Sequence, residues 1–515
     1  MDWTLDEYIR RNGARYPDKP GFIMDKTTRT WREVDRRVDQ LAQALHRLGL
    51  QRNDRVATLM HNCLEYPEAY YGCARAGMIV VPFSYRLTVP ELHEILTTAE
   101  PALMIVGASE AHKAFALREL LPSLQHIWVV GDDTQPVEQN YEAQLQGSPS
   151  TPAYSPNGQN DTFSIFFTSG TTGLPKGAMV SHLNLEANGF NQFVADGSRH
   201  EDVNLIGTPL YHMGAVFMSV TYTMLGCTQV VIEKFEPELW LEALEQNRAT
   251  VALLIPTMIN TVLNYPELSD HDLSSLRLIF YGGGPMPPAV LRRALAAMPC
   301  GFTQGYGLTE TLEATFLVAS DHEITDGDEK KLFRLASAGR EATGADVRII
   351  DDDGNSLGTG EVGEILIRSR SNISGYWRNP EETAATVKGT WFHTGDVGYL
   401  DEDRYLFVVD RKKDMVVSGG VNIYTKEIES VIYSHPAVLE AAVVGLPDDH
   451  WGEVVTACVV LRNGQSVTTE EITEYCSSRL AGYKKPRRVF FLGELPKNPS
   501  GKILKRDLRE VLAVQ

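Results

Sequence analysis

Four apolar runs early in the chain, VATLM from Val56, MIVVPF from Met78, ALMIVG from Ala102 and HIWVVG from His126, alternate with helix-length stretches. No other feature constrains the fold as much. Runs that are apolar on both faces must be covered on both faces, and helices crossing over a parallel sheet do this. Between Trp31 and Leu48 the apolar residues Trp31, Val34, Val38, Leu41, Leu45 and Leu48 recur every three or four positions, which is one face of an amphipathic helix.

The texture then changes three times. Thr134 to Asn160 is polar and rich in Pro, Ser, Gln and Asn, and reads as a long surface connection. From Asp346, DVRIIDDDGNSLGTGEVGEILIRS has short alternating strands broken by DDGN and GTGEVG turns, which predicts a small antiparallel sheet or barrel. Past DRKKDMVVSGG, Asp410 to Gly420, about a hundred residues remain, enough for a small α+β domain. The fold expected is α/β: a large N-terminal domain of stacked, mainly parallel sheets covered by helices, with a small β-barrel-like subdomain, and a small α+β C-terminal domain.

With 48 Lys and Arg against 67 Asp and Glu, the chain carries a formal charge of -19 and would repel a nucleic-acid backbone. A polyanionic ligand needs a local basic cluster instead. The six cysteines are scattered without a C-x-x-C pair, as expected of reduced thiols in a cytoplasmic protein. The start, MDWTLDEYIRR, lacks a secretory apolar region, and the apolar runs are too short to span a bilayer, so no stable membrane anchor is expected.

The candidate chemistry begins at TSGTTGLPKG, Thr168 to Gly177, which follows the strand-like FSIFF. Hydroxyls on Thr168, Ser169, Thr171 and Thr172, bare backbone at Gly170, Gly173 and Gly177, and the Lys176 ammonium are the groups that wrap a phosphate. The Walker spacing fails, because Pro175 stands where its second glycine belongs and Gly177 follows the lysine. A flexible linker would share the composition but would need neither the preceding strand nor the lone lysine.

Other segments add to it. TQGYGLTE, Thr303 to Glu310, ends in a hydroxyl and a carboxylate suited to a phosphate and Mg²⁺. WFHTGDVGYL places Asp396 in a turn suited to a ribose diol, and VDRKKDMVVSGGVNIYTKEIE and LPKNPSGKILKRDLR bring basic residues to glycine-rich turns. In this order, over nearly the whole chain, these segments resemble the acyl-adenylate-forming (AMP-binding) superfamily, and within it acyl-CoA ligases of the chlorobenzoate and coumarate type.

The resemblance implies an enzyme that uses ATP, Mg²⁺ and coenzyme A to convert a small-molecule carboxylic acid to its CoA thioester through an acyl-AMP. By similarity, Thr168 to Lys176 grips the β- and γ-phosphates, Thr309 contacts the α-phosphate and Glu310 holds the metal. Tyr306 stacks adenine against Gly282, Gly283, Gly284 and Pro285, while Asp396 and Arg411 hold the ribose. Lys502 bridges the carboxylate and the α-phosphate. Lys413 is the hinge, within 411–415, between an adenylation domain at 1–410 and a mobile domain at 416–515. Gly419 and Gly420 then shape the CoA tunnel, with Trp451, Tyr483, Lys485 and Arg487 meeting the CoA nucleotide. The alternative of a packing tryptophan and a solvated basic patch stays open for that last group.

His212, after TPLY, resembles the gate beside the carboxylate pocket. Met213, Phe217, Met218, Tyr281 and Leu312 are expected to line an apolar slot for a medium-sized aromatic or aliphatic acid. Glu313 falls beside them. A buried carboxylate without a partner is costly, so Glu313 is expected to point away or to pair with a base rather than to meet a polar group on the substrate. Thr425 stands where many relatives have Pro. The alternatives are an adenylating enzyme that delivers its acid to a carrier protein, a luciferase-like oxygenase, a nucleotide-binding protein without turnover, and a phosphotransferase releasing ADP. A homodimer is compatible with all of them.

Overall fold

A computed structural model describes residues 3–151, 153–168, 175–284, 286–323, 328–448, 450–497 and 503–512. The four apolar runs become the strands Arg55–Leu59, Ile79–Pro82, Leu103–Gly107 and His126–Val130. They pair in parallel within a six-stranded sheet, whose far edge is the antiparallel pair Thr162–Thr168 and Lys176–Ser181. A nine-stranded sheet lies beside it, with Val203–Ile206, Val251–Leu254, Leu278–Tyr281 and Gly301–Leu308 as parallel neighbours.

Strand residues alternate between faces, so each sheet contributes to two cores. Val56, Val80 and Phe163 of the first sheet and Leu253, Leu278 and Phe280 of the second share one central core. Helices Trp31–Arg47, Glu65–Ala76, His182–Asp196 and Met213–Leu225 fill it. The opposite faces are covered separately. The helix expected from Trp31 begins there because Thr30 and Glu33 form a reciprocal capping box, each side chain accepting from the other's backbone N–H.

The polar stretch from Thr134 is more than a surface connection. Asn140 caps a short helix, Tyr141–Gln146, by accepting from Ala143 N at 2.8 Å, and Tyr141 and Leu145, four residues apart, are buried in the central core. Composition hid this, since two apolar residues in a polar segment are enough to anchor one turn.

Beyond residue 345 a five-stranded sheet holds Ala345–Ile350, Gly363–Ser369, Trp391–Leu400 and Leu406–Arg411 in antiparallel pairing. A last five-stranded sheet, centred on Val438–Asp448 and Gly452–Leu461, is covered by helices Thr425–Tyr433 and Thr469–Ser477 on one face and Lys505–Leu512 on the other. Among the described residues no helix is long and apolar enough to cross a membrane.

Candidate nucleotide and acid site

The glycine-rich segment is the connection between two antiparallel strands whose last paired residues are Thr168 and Lys176. Ser169, Gly170, Thr171, Thr172 and Gly173, as well as Pro285 and Lys502, lie outside the described residues. The two ends of the segment are informative. Thr168 Oγ1 lies 3.3 Å from Glu310 Oε1, which joins the edge of the six-stranded sheet to the Thr-Glu segment of the nine-stranded sheet. Lys176 pairs with Glu382 at 2.5 Å.

Thr309 and Glu310 ride the tip of a hairpin in which Leu308 pairs with Leu312. The hairpin is held by Leu308 N donating to Thr311 Oγ1 at 3.0 Å. Leu312 takes a left-handed φ of 51°, and Gly307 has no room for a side chain, since a Cβ there would lie 1.6 Å from Leu312 O. Glu310 also accepts from the Tyr376 hydroxyl at 3.1 Å. A single oriented carboxylate suits Mg²⁺, which usually takes one or two carboxylates and completes its shell with water and phosphate oxygens.

A second cluster forms where Asp396 and Arg411 face each other across paired strands. Tyr306 donates to Asp396 Oδ2 at 2.9 Å, and Arg411 Nε lies 3.0 Å from Oδ1. That contact is an ion pair without hydrogen-bond alignment, so the buried Oδ1 has no donor among the described residues. An aligned hydroxyl would satisfy it, and a ribose diol fits this requirement. Gly282 lies against the Gly305 carbonyl so closely that a Cβ would approach it to 2.7 Å, which keeps the Gly282–Gly284 turn beside the Tyr306 strand.

Sequence reading missed three residues here. Tyr376 and Glu382 come from the Ile373–Glu382 stretch, where Asn379 caps the helix Pro380–Thr386 by accepting from Glu382 N. Lys426, on helix Thr425–Tyr433, feels Asp396, Asp410 and Arg411, and burial lowers its pKa. The signal for Tyr376 and Glu382 is a capped helix start close behind a glycine turn, and nothing in the local sequence marks Lys426.

His212 stands at the N-terminus of helix Met213–Leu225, against the Tyr211 ring. Burial, with Arg86 adding to it, holds its pKa down to about 4, so the ring is neutral and its Nε2 has no partner among the described residues. Met213, Phe217, Met218 and Leu312 are all buried in the central core. Tyr281 is not with them. It faces the other core and bonds His322 Nε2 at 2.8 Å, because it lies one residue from Phe280 and so points to the opposite face. Phe280 takes the place beside Phe217, with ring centroids 5.7 Å apart. Glu313 neither points away nor finds a base: its Oε2 is buried without a partner, and among the described residues it makes no ion pair.

Just before two strands of the last sheet, Arg487 stacks over Trp451 with Cζ 4.4 Å from the ring centroid. Gly419, at φ 59°, donates to Trp451 O at 2.8 Å, and a Cβ there would meet the indole at 3.0 Å. Tyr483 and Lys485 are exposed nearby in sequence, and Gly420 follows at φ 79°. Asp410 ends the stretch that precedes residues 411–415. Its Oδ2 accepts from both Thr425 N and Thr425 Oγ1, so Thr425 does more than replace a turn proline.

Two buried histidines set an acid limit. His182 Nδ1 accepts from Leu5 N at 3.1 Å, and burial lowers its pKa to about 4 against the pull of Asp6 and Asp161. The unfolded chain takes up protons near pH 6.5 that the native state refuses until about pH 4, so stability falls as pH drops through that window. For His182 the expected loss is roughly 3 kcal/mol by pH 4, with less from His212, which is less completely buried. Urea unfolding at stepped pH measures this, and His182→Asn flattens the slope.

The AMP-binding enzyme model matches residues 9–377, and the AMP-binding enzyme C-terminal domain model matches residues 427–502. The chain belongs to the AMP-binding enzyme family. It is 36% identical to a feruloyl-CoA synthase of Amycolatopsis sp over 94% of each protein. It is 35% identical to the long-chain-fatty-acid–CoA ligase FadD13 of Mycobacterium tuberculosis, over 98% of this chain and 97% of that one. The ATP-bound crystal structure of MatB from Rhodopseudomonas palustris superposes with a TM-score of 0.89 at 30% identity, covering 100% of this chain and 99% of that one.

Proposed function

We propose that the protein is an ATP-dependent carboxylic acid:CoA ligase. The acid carboxylate attacks the α-phosphorus of ATP, giving acyl-AMP and pyrophosphate, and the CoA thiol then displaces AMP. The observation that carries this reading is the meeting of three sheets around two clusters, Thr168–Glu310–Tyr376 and Tyr306–Asp396–Arg411. One orients a carboxylate beside the ends of a glycine-rich segment, and the other leaves a buried carboxylate oxygen in want of a hydroxyl. The relatives' activities point the same way.

In this reading Thr168 to Lys176 and Thr309 bind the phosphates, and Tyr306 with Gly282–Gly284 and Pro285 holds adenine. Glu310 would hold Mg²⁺, which would supply positive charge to offset that of the phosphates. His212, neutral, guards the carboxylate end of a slot formed by Met213, Phe217, Met218, Phe280 and Leu312, suited to a medium-sized, largely apolar acid. No general base is needed, because the acid enters already ionised. Residues 411–415 form the hinge between 1–410 and 416–515. The Trp451–Arg487 stack, with Tyr483, Lys485 and the Gly419–Gly420 turn, receives CoA.

Pyrophosphate release across a panel of aromatic and aliphatic acids, with and without CoA, tests the reading. Acid-dependent pyrophosphate, with AMP and thioester once CoA is added, is expected. ADP and phosphate as products would replace it with phosphotransfer.

A further inference from the structure

The residues proposed above to line the acid slot border one group that an apolar substrate would leave unused. Glu313 lies on the strand Leu312–Leu317, opposite the Gly301–Leu308 strand. Its carboxyl folds over Gly305: a Cβ placed on Gly305 would lie 2.6 Å from Glu313 Oε2 and 2.5 Å from Phe280 Cζ. The carboxyl and the Phe280 ring edge therefore border the same small space over Gly305, and Phe280 packs on Phe217. Asn188, fully buried on helix His182–Asp196, accepts from Glu313 N at 2.9 Å through Oδ1. That bond fixes which end of the amide is oxygen, and it leaves Nδ2 without an acceptor among the described residues. An orphan acceptor and an orphan donor thus lie on two neighbouring side chains at the slot.

Buried polar groups are nearly always bonded, and a pair left unmet at a binding slot marks what the ligand supplies. We infer that Glu313 and Asn188 read a hydroxyl on the tail of the acid substrate, the hydroxyl donating to Glu313 and accepting from Asn188. This rests on the ligase reading above and adds the substrate class: a hydroxylated acid rather than a plain hydrocarbon one. Burial pushes the Glu313 carboxyl up to about 8, so at neutral pH it is mostly uncharged, which suits a neutral hydroxyl better than an ammonium group. A site built to bond a hydroxyl rejects the analogue lacking it far more strongly than an apolar slot rejects an extra methylene.

The test compares phenylpropenoic acids bearing a para-hydroxyl or a para-methyl group, and saturated medium-chain acids with and without a terminal hydroxyl. The wild-type kcat/KM is expected to favour the hydroxylated member of at least one pair by about tenfold or more. Glu313→Leu erases that preference by slowing the hydroxylated acid and speeding its partner, with the KM for ATP unchanged. Glu313→Gln, which keeps an acceptor, retains it. Equal use of both members of both pairs by the wild type overturns the inference, as does a Glu313→Leu enzyme that keeps the preference. The wild-type comparison decides alone should the leucine variant fail to fold. Absence of pyrophosphate with every acid is a different result, and it overturns the ligase reading itself.

Discussion

Lys502→Ala abolishes pyrophosphate release from acid plus ATP yet still converts a supplied acyl-AMP to thioester with CoA. The physical reason lies in the first step, where an anionic carboxylate must approach an anionic α-phosphate. A cation that bridges the two removes the repulsion and stabilises charge building on the phosphate oxygens. Removing one such pre-positioned group in a water-poor site costs about 3–4 kcal/mol, or two to three orders of magnitude in rate. The thioester step has no new bond to phosphorus and does not need that cation. Three residues further on, Lys505 pairs with Glu429 at 2.7 Å and donates to Thr425 Oγ1 at 2.6 Å, next to Asp410 and the Arg411 strand end. Rapid-quench assays of the two half-reactions measure the split. Equal loss in both would contradict the assignment.

Lys413→Pro has the opposite signature, slowing thioester formation while sparing adenylation. Lys413 is the third residue of a turn closed by Asp414 N donating to Arg411 O at 2.9 Å, between the strands Leu406–Arg411 and Val416–Ser418. Proline there fixes one torsion and restricts the residue before it, so a swing about the turn loses the rotations it needs. A swing must also break both bonds from Thr425 to Asp410, because Asp410 belongs to the strand before the turn and Thr425 to the helix after it. Thr425→Pro removes both donors and is therefore expected to loosen this orientation, speeding departure from it severalfold. Single-turnover rates starting from acyl-AMP measure both variants. A Lys413→Pro enzyme that loses the two half-reactions equally would count against a hinge at this position.

Much of the architecture could be read from residue order because it rests on local patterns. Runs such as VATLM and ALMIVG have one stable use, as strands covered on both sides, and the three-and-four spacing from Trp31 fixes a helix whose start Thr30 and Glu33 mark. Strand parity was harder. Tyr281 and Phe280 are adjacent and both aromatic, and which faces the central core depends on how the strand is seated between its neighbours, which the local sequence does not encode. Tyr376 and Glu382 reach Glu310 and Lys176 from distant positions in the chain. Glu313 shows the same limit. The rule that a buried carboxylate finds a partner or turns away holds for a finished core, and it fails where the partner is expected to be the substrate.

The most direct test follows one oxygen atom. When the acid carries a heavy-oxygen label in its carboxyl group, attack on the α-phosphorus makes a carboxylate oxygen the bridge of the acyl-AMP, and displacement by CoA leaves that oxygen on AMP. Mass spectrometry of the AMP should find one labelled oxygen per thioester formed. Unlabelled AMP, or label in inorganic phosphate alongside ADP, would contradict the account.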